Sequence, residues 1–363
     1  MRIEELDTPS LVVDLDVMER NIARMAAYTA RHGIALRPHT KTHKIPAIAK
    51  QQLAAGAKGI TVAKLGEAEI MAANGLDDVF VAYPLVGDVK QSRCARLASQ
   101  IRLRTSFDSI DVARGLSRHA RDVGATVYVL VDLDTGNHRT GVQTMDDLVE
   151  LAQRTADLPN LDLEGLFVYP GHLSHGSPNR AAELTAQREV VAEAVERLAV
   201  VGLRPRVVSS GNTPAAEHVH EIGNVTEMRP GTYVFNDSNT VATGYCSFDE
   251  CAASVLVTVV SRPTADRAIV DGGSKTFTAE APRAPRAGHG YVREYPEAVL
   301  VKMNEEHGFL DLSGCERQPR VGERVRIVPN HICCTVNQFE ELAGVRGETV
   351  EVVWPVAARG KLK

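Results

Sequence analysis

The sequence predicts an α/β fold in which eight strand–helix units are followed by an all-β domain. Three observations carry that expectation. Short β-rich runs alternate with stretches of helical period from about residue 34 to residue 235. Eight such runs occur, and eight units are what a closed parallel barrel requires. After about residue 245 the texture changes to strand candidates separated by Gly and Pro turns, with no long helix between them. Together these read as a (β/α)8 barrel of the TIM type with a carboxy-terminal β domain, and 363 residues suffice for both.

Each element has its own signal. Residues 10–14 form a strand candidate, and Asp16 is placed to cap the helix after it, where Met18, Ile22 and Met25 recur at helical spacing. The barrel strands are expected at 34–38, 59–63, 78–83, 101–106, 126–132, 163–169, 206–209 and 226–229. Helices are expected between them at 45–55, 65–73, 89–99, 110–122, 145–156 and 182–201. The seventh link, 213–218, is short for a helix. Strands of the second domain are expected at 252–262, 267–271, 298–304, 323–328 and 349–354, and the Pro/Ala/Arg-rich stretch 281–290 reads as a flexible loop. The domains are therefore placed at 1–240 and 241–363, with segment 1–14 open to joining the β domain.

Composition narrows the function. A net charge of -5 with interspersed signs leaves no basic stripe for nucleic acid. No run approaches the roughly 18 apolar residues of a membrane span. The opening Met1-Arg2-Ile3-Glu4-Glu5-Leu6 has no apolar signal core, so a cytoplasmic protein is expected. The six cysteines include no CxxC pair and read as reduced thiols.

Chemistry concentrates where the first barrel strand ends, at Arg37-Pro38-His39-Thr40-Lys41-Thr42-His43-Lys44. Functional residues gather at the carboxyl ends of barrel strands. A lysine among other cations has a depressed pKa and becomes nucleophilic toward aldehydes, and Arg37, His39, His43 and Lys44 would supply such surroundings. Spacing alone leaves a solvated basic turn open. The segment resembles the cofactor motif of the D-threonine aldolase and eukaryotic-type D-serine dehydratase family, which are fold-type III pyridoxal 5'-phosphate (PLP) enzymes related to alanine racemase. The likeness runs from Asp7-Thr8-Pro9-Ser10-Leu11 to Trp354-Pro355-Val356-Ala357-Ala358-Arg359-Gly360. It implies a PLP-binding barrel in which Lys41 is the Schiff-base lysine.

Further segments extend the resemblance. Asp134-Thr135-Gly136-Asn137-His138-Arg139-Thr140-Gly141 looks like the family's DTGxxRxG element, which implies that Arg139 bonds the phenolic oxygen of PLP and keeps it deprotonated. Ser210-Gly211-Asn212-Thr213, after strand seven, could cradle a phosphate with small residues and free N–H groups, although the same residues make ordinary turns. Gly231, Thr232 and Tyr233 resemble the second phosphate-side loop, and Tyr169 is a further expected cofactor contact. In Tyr169-Pro170-Gly171-His172-Leu173-Ser174-His175, either His172 or His175 could transfer protons. Asp271, Lys275 and Glu306-His307-Gly308 also match family elements, without a derivable role.

The segment Pro329-Asn330-His331-Ile332-Cys333-Cys334 points to a second cofactor. If it is extended, His331 and Cys333 share one face, and imidazole with thiolate can bind Zn²⁺. A buried His and Cys in a strand is the bland alternative. The resemblance implies a divalent metal, Zn²⁺ or Mn²⁺, at a His-x-Asp or His-x-Cys pair, with cysteine associated with the dehydratases. A metal pair beside PLP points to a small β-hydroxy amino acid substrate, but it does not choose between aldol cleavage and dehydration. The whole-chain likeness favours D-threonine aldolase-type cleavage to glycine and an aldehyde. D-serine or 3-hydroxyaspartate dehydration is the alternative, followed by a non-catalytic PLP-binding protein or a racemase. A homodimer is expected by analogy.

Overall fold

The structure is a computed structural model that describes residues 1–285 and 287–363. The chain divides into two compact units: Met25–Gly231 with Gly360–Lys363, and Met1–Arg24 with Thr232–Arg359.

The first unit holds eight parallel strands: Ala35–Leu36, Ile60–Val62, Asp78–Val81, Arg102–Phe107, Val127–Leu133, Leu161–Val168, Val207–Ser210 and Glu227–Met228. Each pairs with its sequence neighbour from the second to the eighth, and the eighth pairs with the first. A parallel bridge between His39 and Thr61 joins the first strand to the second and closes the ring. All eight fall where the alternation of the sequence puts them. The helices follow the caps: Ser109 Oγ accepts from the N–H of Asp111, Thr144 Oγ1 accepts from that of Asp147, and Pro46 opens the helix Pro46–Ala54. The seventh link, short as expected, is the 3-10 helix Ala216–Ile222. In strand six, Gly165 has φ +148, and a Cβ there would lie 2.1 Å from Val207 O. Only glycine allows that strand to approach strand seven so closely.

Much of the barrel interior is apolar, for example Phe80, Leu130 and Phe167. One layer is ionic. Arg37 donates to Asp78 and Glu227, while Arg104 donates to Glu164 and Glu227, and the Arg37, Arg104, Glu164 and Glu227 side chains are all at most 7% exposed. Burial pushes the Glu227 carboxyl up, but Arg37 and Arg104 outweigh it and hold the pKa at about 2.

The second unit is built on a nine-stranded sheet. Ser10–Asp14 lies inside it, antiparallel to Ala253–Thr264 and parallel to Glu341–Arg346. Gly290–Val292, Gly308–Asp311 and Glu341–Arg346 are strands that the sequence reading passed over. The first two are only 3 and 4 residues long and the third carries Gly344, so their periodicity is weak. Asp14, not Asp16, caps the helix Leu15–Arg31: Asp14 Oδ1 accepts from the N–H of Val17, while Asp16 pairs with Arg346. In the stretch expected to be a flexible loop, Arg286 lies outside the described residues. Around it, Asn239 accepts from Arg283 N and donates to Ala281 O, and Asn330 donates to Glu280 O and Gly288 O. The loop is tied down at several points.

Candidate active site

The turn after strand one separates its two lysines. Lys44 is buried and ion-paired with buried Glu67 at 2.9 Å. Lys41 is half-buried, and its amine has no hydrogen-bond or ion-pair partner among the described residues. The expected cationic neighbours of Lys41 are mostly turned elsewhere. Arg37 points into the barrel, and Lys44 is neutralised by Glu67. Burial lowers the His43 pKa to about 4, so the ring is neutral, with Gln52 Oε1 3.3 Å away. The correction follows from alternation and burial: a basic residue beside a functional lysine in sequence need not face the same way.

His39 does stay close. Its Nδ1 accepts from the Lys41 N–H at 3.4 Å. Burial, then the charges of Lys41, Arg229 and Arg139, hold it well below the usual histidine range. The positive field of this region thus comes from residues distant in sequence. Arg229 is buried, donates to Ser209 Oγ and Val168 O, and lies 4.1 Å from the Phe167 ring centroid.

Arg139 is exposed and stacks 4.3 Å above the Tyr169 ring. Its loop is pinned by Asp134 Oδ1, which accepts from the N–H groups of Gly136, Asn137 and His138. Asp132, Asn137, Arg139, Thr140 and Tyr169 line a concavity there. Burial raises the Asp132 carboxyl to about 6, against the bond it accepts from Thr140.

At the end of strand seven, Ser210 Oγ is buried without a hydrogen-bond partner among the described residues, and Gly211 follows with φ +89. The expected role of Asn212 is narrowed to its backbone, because its side chain donates to Pro170 O and Leu173 O and accepts from Ala215 N. Thr213 is buried beside it. After strand eight, a Cβ on Gly231 would lie 2.9 Å from both His39 O and Thr42 Oγ1, so the chain approaches the lysine turn as only glycine can. A buried hydroxyl and a lysine amine that are both unpaired among the described residues, together with small residues, suit an aldehyde-bearing phosphate such as PLP.

The two histidines after strand six differ. His172 is exposed, with one 3.4 Å contact to Gln187. His175 is fixed through its backbone N–H to Pro214 O and its ring to His218.

In the β unit, the stretch read as extended is a short helix, Ile332–Val336, with His331 at its N-cap. His331 and Cys333 still meet, because the N-cap and the second helical residue belong to the same first turn. His331 Nδ1 lies 3.1 Å from Asp237 Oδ2, and Thr232 Oγ1 lies 3.7 Å from Cys333 Sγ. Thr232 thereby has a hydroxyl committed to the thiol's surroundings, and Tyr233 is buried. The Cys333 thiolate first, helped by Asp237 and against burial, raises the His331 pKa to about 11. The imidazole therefore holds its proton strongly beside these two anions, and that proton would have to leave before the ring could ligate a metal. Asp237 engages Nδ1 of the ring, the arrangement in which a carboxylate orients a metal-binding imidazole. Among the described residues no cluster of three His, Cys, Asp or Glu forms a complete metal cage, so a bound ion would keep open positions.

The other matched residues have structural partners. Asp271 accepts from Thr8 Oγ1 and Thr258 N, while Lys275 pairs with Glu306 on the surface.

The family described as alanine racemase, N-terminal domain, matches residues 13–239, and the serine dehydratase domain matches 252–345. A D-threonine aldolase from an Arthrobacter species is 35% identical, covering 99% of this chain and 94% of its own. The chain belongs to the D-threonine aldolase and D-serine dehydratase-like family. Its other relatives in this family include a D-threo-3-hydroxyaspartate dehydratase from a Delftia species, 34% identical over 96% of this chain and 97% of that one. The solved D-threonine aldolase of Filomicrobium marinum superposes with a TM-score of 0.91 at 34% identity, covering 99% of this chain and 97% of that one. A D-threo-3-hydroxyaspartate dehydratase has been solved with a histidine replaced by alanine. A metal-free form of it carries alanine at the cysteine two residues further on. Within the family fold, Asp237, His218 and Glu221 of this site carry no motif in the sequence, and Arg229 stands in the Arg229–Tyr233 motif without a role of its own there. Asp237, Arg229 and His218 act through partners far away in the chain, whereas Glu221 acts through His218, three residues before it.

Proposed function

We propose that this chain is a PLP- and divalent-metal-dependent lyase of D-3-hydroxy-α-amino acids, acting by retro-aldol cleavage to glycine and an aldehyde. The observation that carries the reading is the lysine turn. Of two neighbouring lysines, Lys44 is locked to Glu67, while the Lys41 amine has no partner among the described residues and its backbone N–H bonds a neutral His39. PLP, when bound, supplies an electron sink for bond cleavage at the α-carbon. Lys41 would hold it. Ser210, Gly211, Thr213, Gly231 and the backbone of Asn212, with Thr232 and Tyr233, would receive its phosphate, and Arg139 and Tyr169 would meet its ring. His331 and Cys333 would bind the metal, and thiolate favours zinc over manganese. Such an ion lowers the pKa of a hydroxyl it touches or improves it as a leaving group.

His175 is the better candidate for proton transfer. Burial first, then His218 and Arg180, lower its pKa, so it is a neutral acceptor at neutral pH. The same residues serve dehydration, and the cysteine of the metal pair, with the dehydratase relatives, favours that second reading. A cytoplasmic homodimer completes the proposal; free thiols at all six cysteines suit a reducing compartment.

The test is product analysis. Protein loaded with PLP and Zn²⁺ or Mn²⁺ is offered D-threonine, D-serine and D-3-hydroxyaspartate, with L-isomers and Lys41→Ala as controls. Glycine plus an aldehyde is expected. Keto acid plus ammonia would replace cleavage by dehydration, and no turnover of any D-substrate would sink both.

A further inference from the structure

Behind His175 runs a hydrogen-bonded chain that ends on a carboxylate. His175 Nδ1 lies 3.1 Å from His218 Nε2, and His218 Nδ1 lies 2.7 Å from Glu221 Oε1. The links come from different elements. His175 sits in the loop after strand six, while His218 and Glu221 sit on the 3-10 helix after strand seven. The loop is held to that helix's approach by His175 N–H to Pro214 O and by Asn212, which bonds Pro170 O and Leu173 O. A side-chain bond from Arg180 to His175 O fixes the other backbone group. The His175 ring is therefore constrained at its backbone and at one nitrogen, with Nε2 the remaining polar atom.

Hydrogen-bond chemistry orders the protons. A carboxylate only accepts, so His218 Nδ1 must carry a proton. At a pH above the ordinary histidine range, where imidazoles are neutral, His218 Nε2 must then accept, and His175 Nδ1 must donate to it. That leaves the lone pair of His175 on Nε2. We propose that His218 and Glu221 are positioning residues that fix His175 as the Nδ1–H tautomer and present its Nε2 as proton acceptor. This rests on the reading of His175 as the residue that moves the proton.

When Nε2 takes a proton, the new charge is stabilised through His218 toward Glu221, whose carboxyl is already held below its usual range by the His218 bond. The other charges facing the chain are Arg180 and Glu217 at His175, with His220 and Arg180 at Glu221. Arg180 opposes protonation of His175 and Glu217 favours it.

Selective ¹⁵N-histidine NMR of the PLP-loaded enzyme reads the tautomer directly, beside the pH profiles of kcat and KM. The wild type is expected to show His175 as Nδ1–H at pH about 8, above the ordinary histidine range. His218→Leu removes the acceptor and should release His175 to the Nε2–H form. It should also lower kcat roughly ten- to a hundredfold with KM held, as loss of an outer orienting partner does. His218→Gln keeps a carbonyl acceptor and should restore both the tautomer and most of kcat. Glu221→Gln should shift the acidic limb of the kcat profile while leaving the fold intact. An Nε2–H tautomer in a wild type whose His175→Gln variant is inactive would overturn the relay alone. A His175→Gln variant with full kcat would overturn the catalytic reading of His175, and the relay's part in the reaction with it.

Discussion

The pair Lys41 and Lys44 shows how three residues of separation divide chemistry from stability. Lys44 has φ +57 and is enclosed with Glu67, so its charge serves the fold. Replacing it by methionine strands a buried carboxylate and should cost about 3 kcal/mol in urea unfolding, with cofactor absorbance kept. Lys41→Ala should do the reverse, losing the absorbance at nearly unchanged stability. The swapped result would move the cofactor to Lys44. Asp237 makes the same point for the metal. Its Oδ2 bonds both His331 Nδ1 and the N–H of Ile332, so it orients the imidazole. Asp237→Asn should weaken Zn²⁺ binding by roughly ten- to a hundredfold in chelator competition. Unchanged affinity would remove Asp237 from the site.

At the scale of elements, the barrel strands do two jobs at different depths. Their carboxyl ends carry Lys41, Arg139, Ser210 and Gly231, while a layer further in is ionic, with Glu227 at its centre. Glu227 accepts from Arg37, Arg104 and Ser209, so Glu227→Gln leaves two arginines undercompensated and should cost about 3 kcal/mol in denaturant. The sign with pH follows from its depressed pKa. An unfolded glutamate titrates near about 4.3. The unfolded chain therefore binds more protons between that pH and about 2, so this contribution is present above the window and lost as pH falls through it. Unfolding curves from pH 5 to pH 2 should fall less steeply in Glu227→Gln than in the wild type. Equal slopes would mean the titration lies elsewhere.

At the scale of the whole molecule, the β unit is closed by a strand from the other end of the chain. Ser10–Asp14 pairs on both sides, and Val12 packs with Leu256 and Ala343. Removing residues 1–14 would expose two strand edges and that cluster together. Protease digestion of such a chain should degrade the β unit well before the barrel, and equal resistance would show the strand to be dispensable. Alternation of short apolar runs with amphipathic helices made the barrel legible residue by residue, because that pattern has a local physical cause. Short edge strands such as Gly290–Val292 and Gly308–Asp311 carry too few periods to read.

The sequence by itself determined the eight barrel units and the β texture that follows, and it singled out Lys41, Arg139, His331 and Cys333 as candidates. Tertiary structure alone decided which neighbours matter. It turned Arg37, His43 and Lys44 away from Lys41, brought Arg229 toward His39, set Asp237 behind His331, and aligned Glu221 and His218 behind His175. The physical reason is range. Periodicity and turn chemistry act over a few residues, whereas the charge, burial and hydrogen bonding that tune a site act through space between distant segments, as across the 190 residues from Arg37 to Glu227.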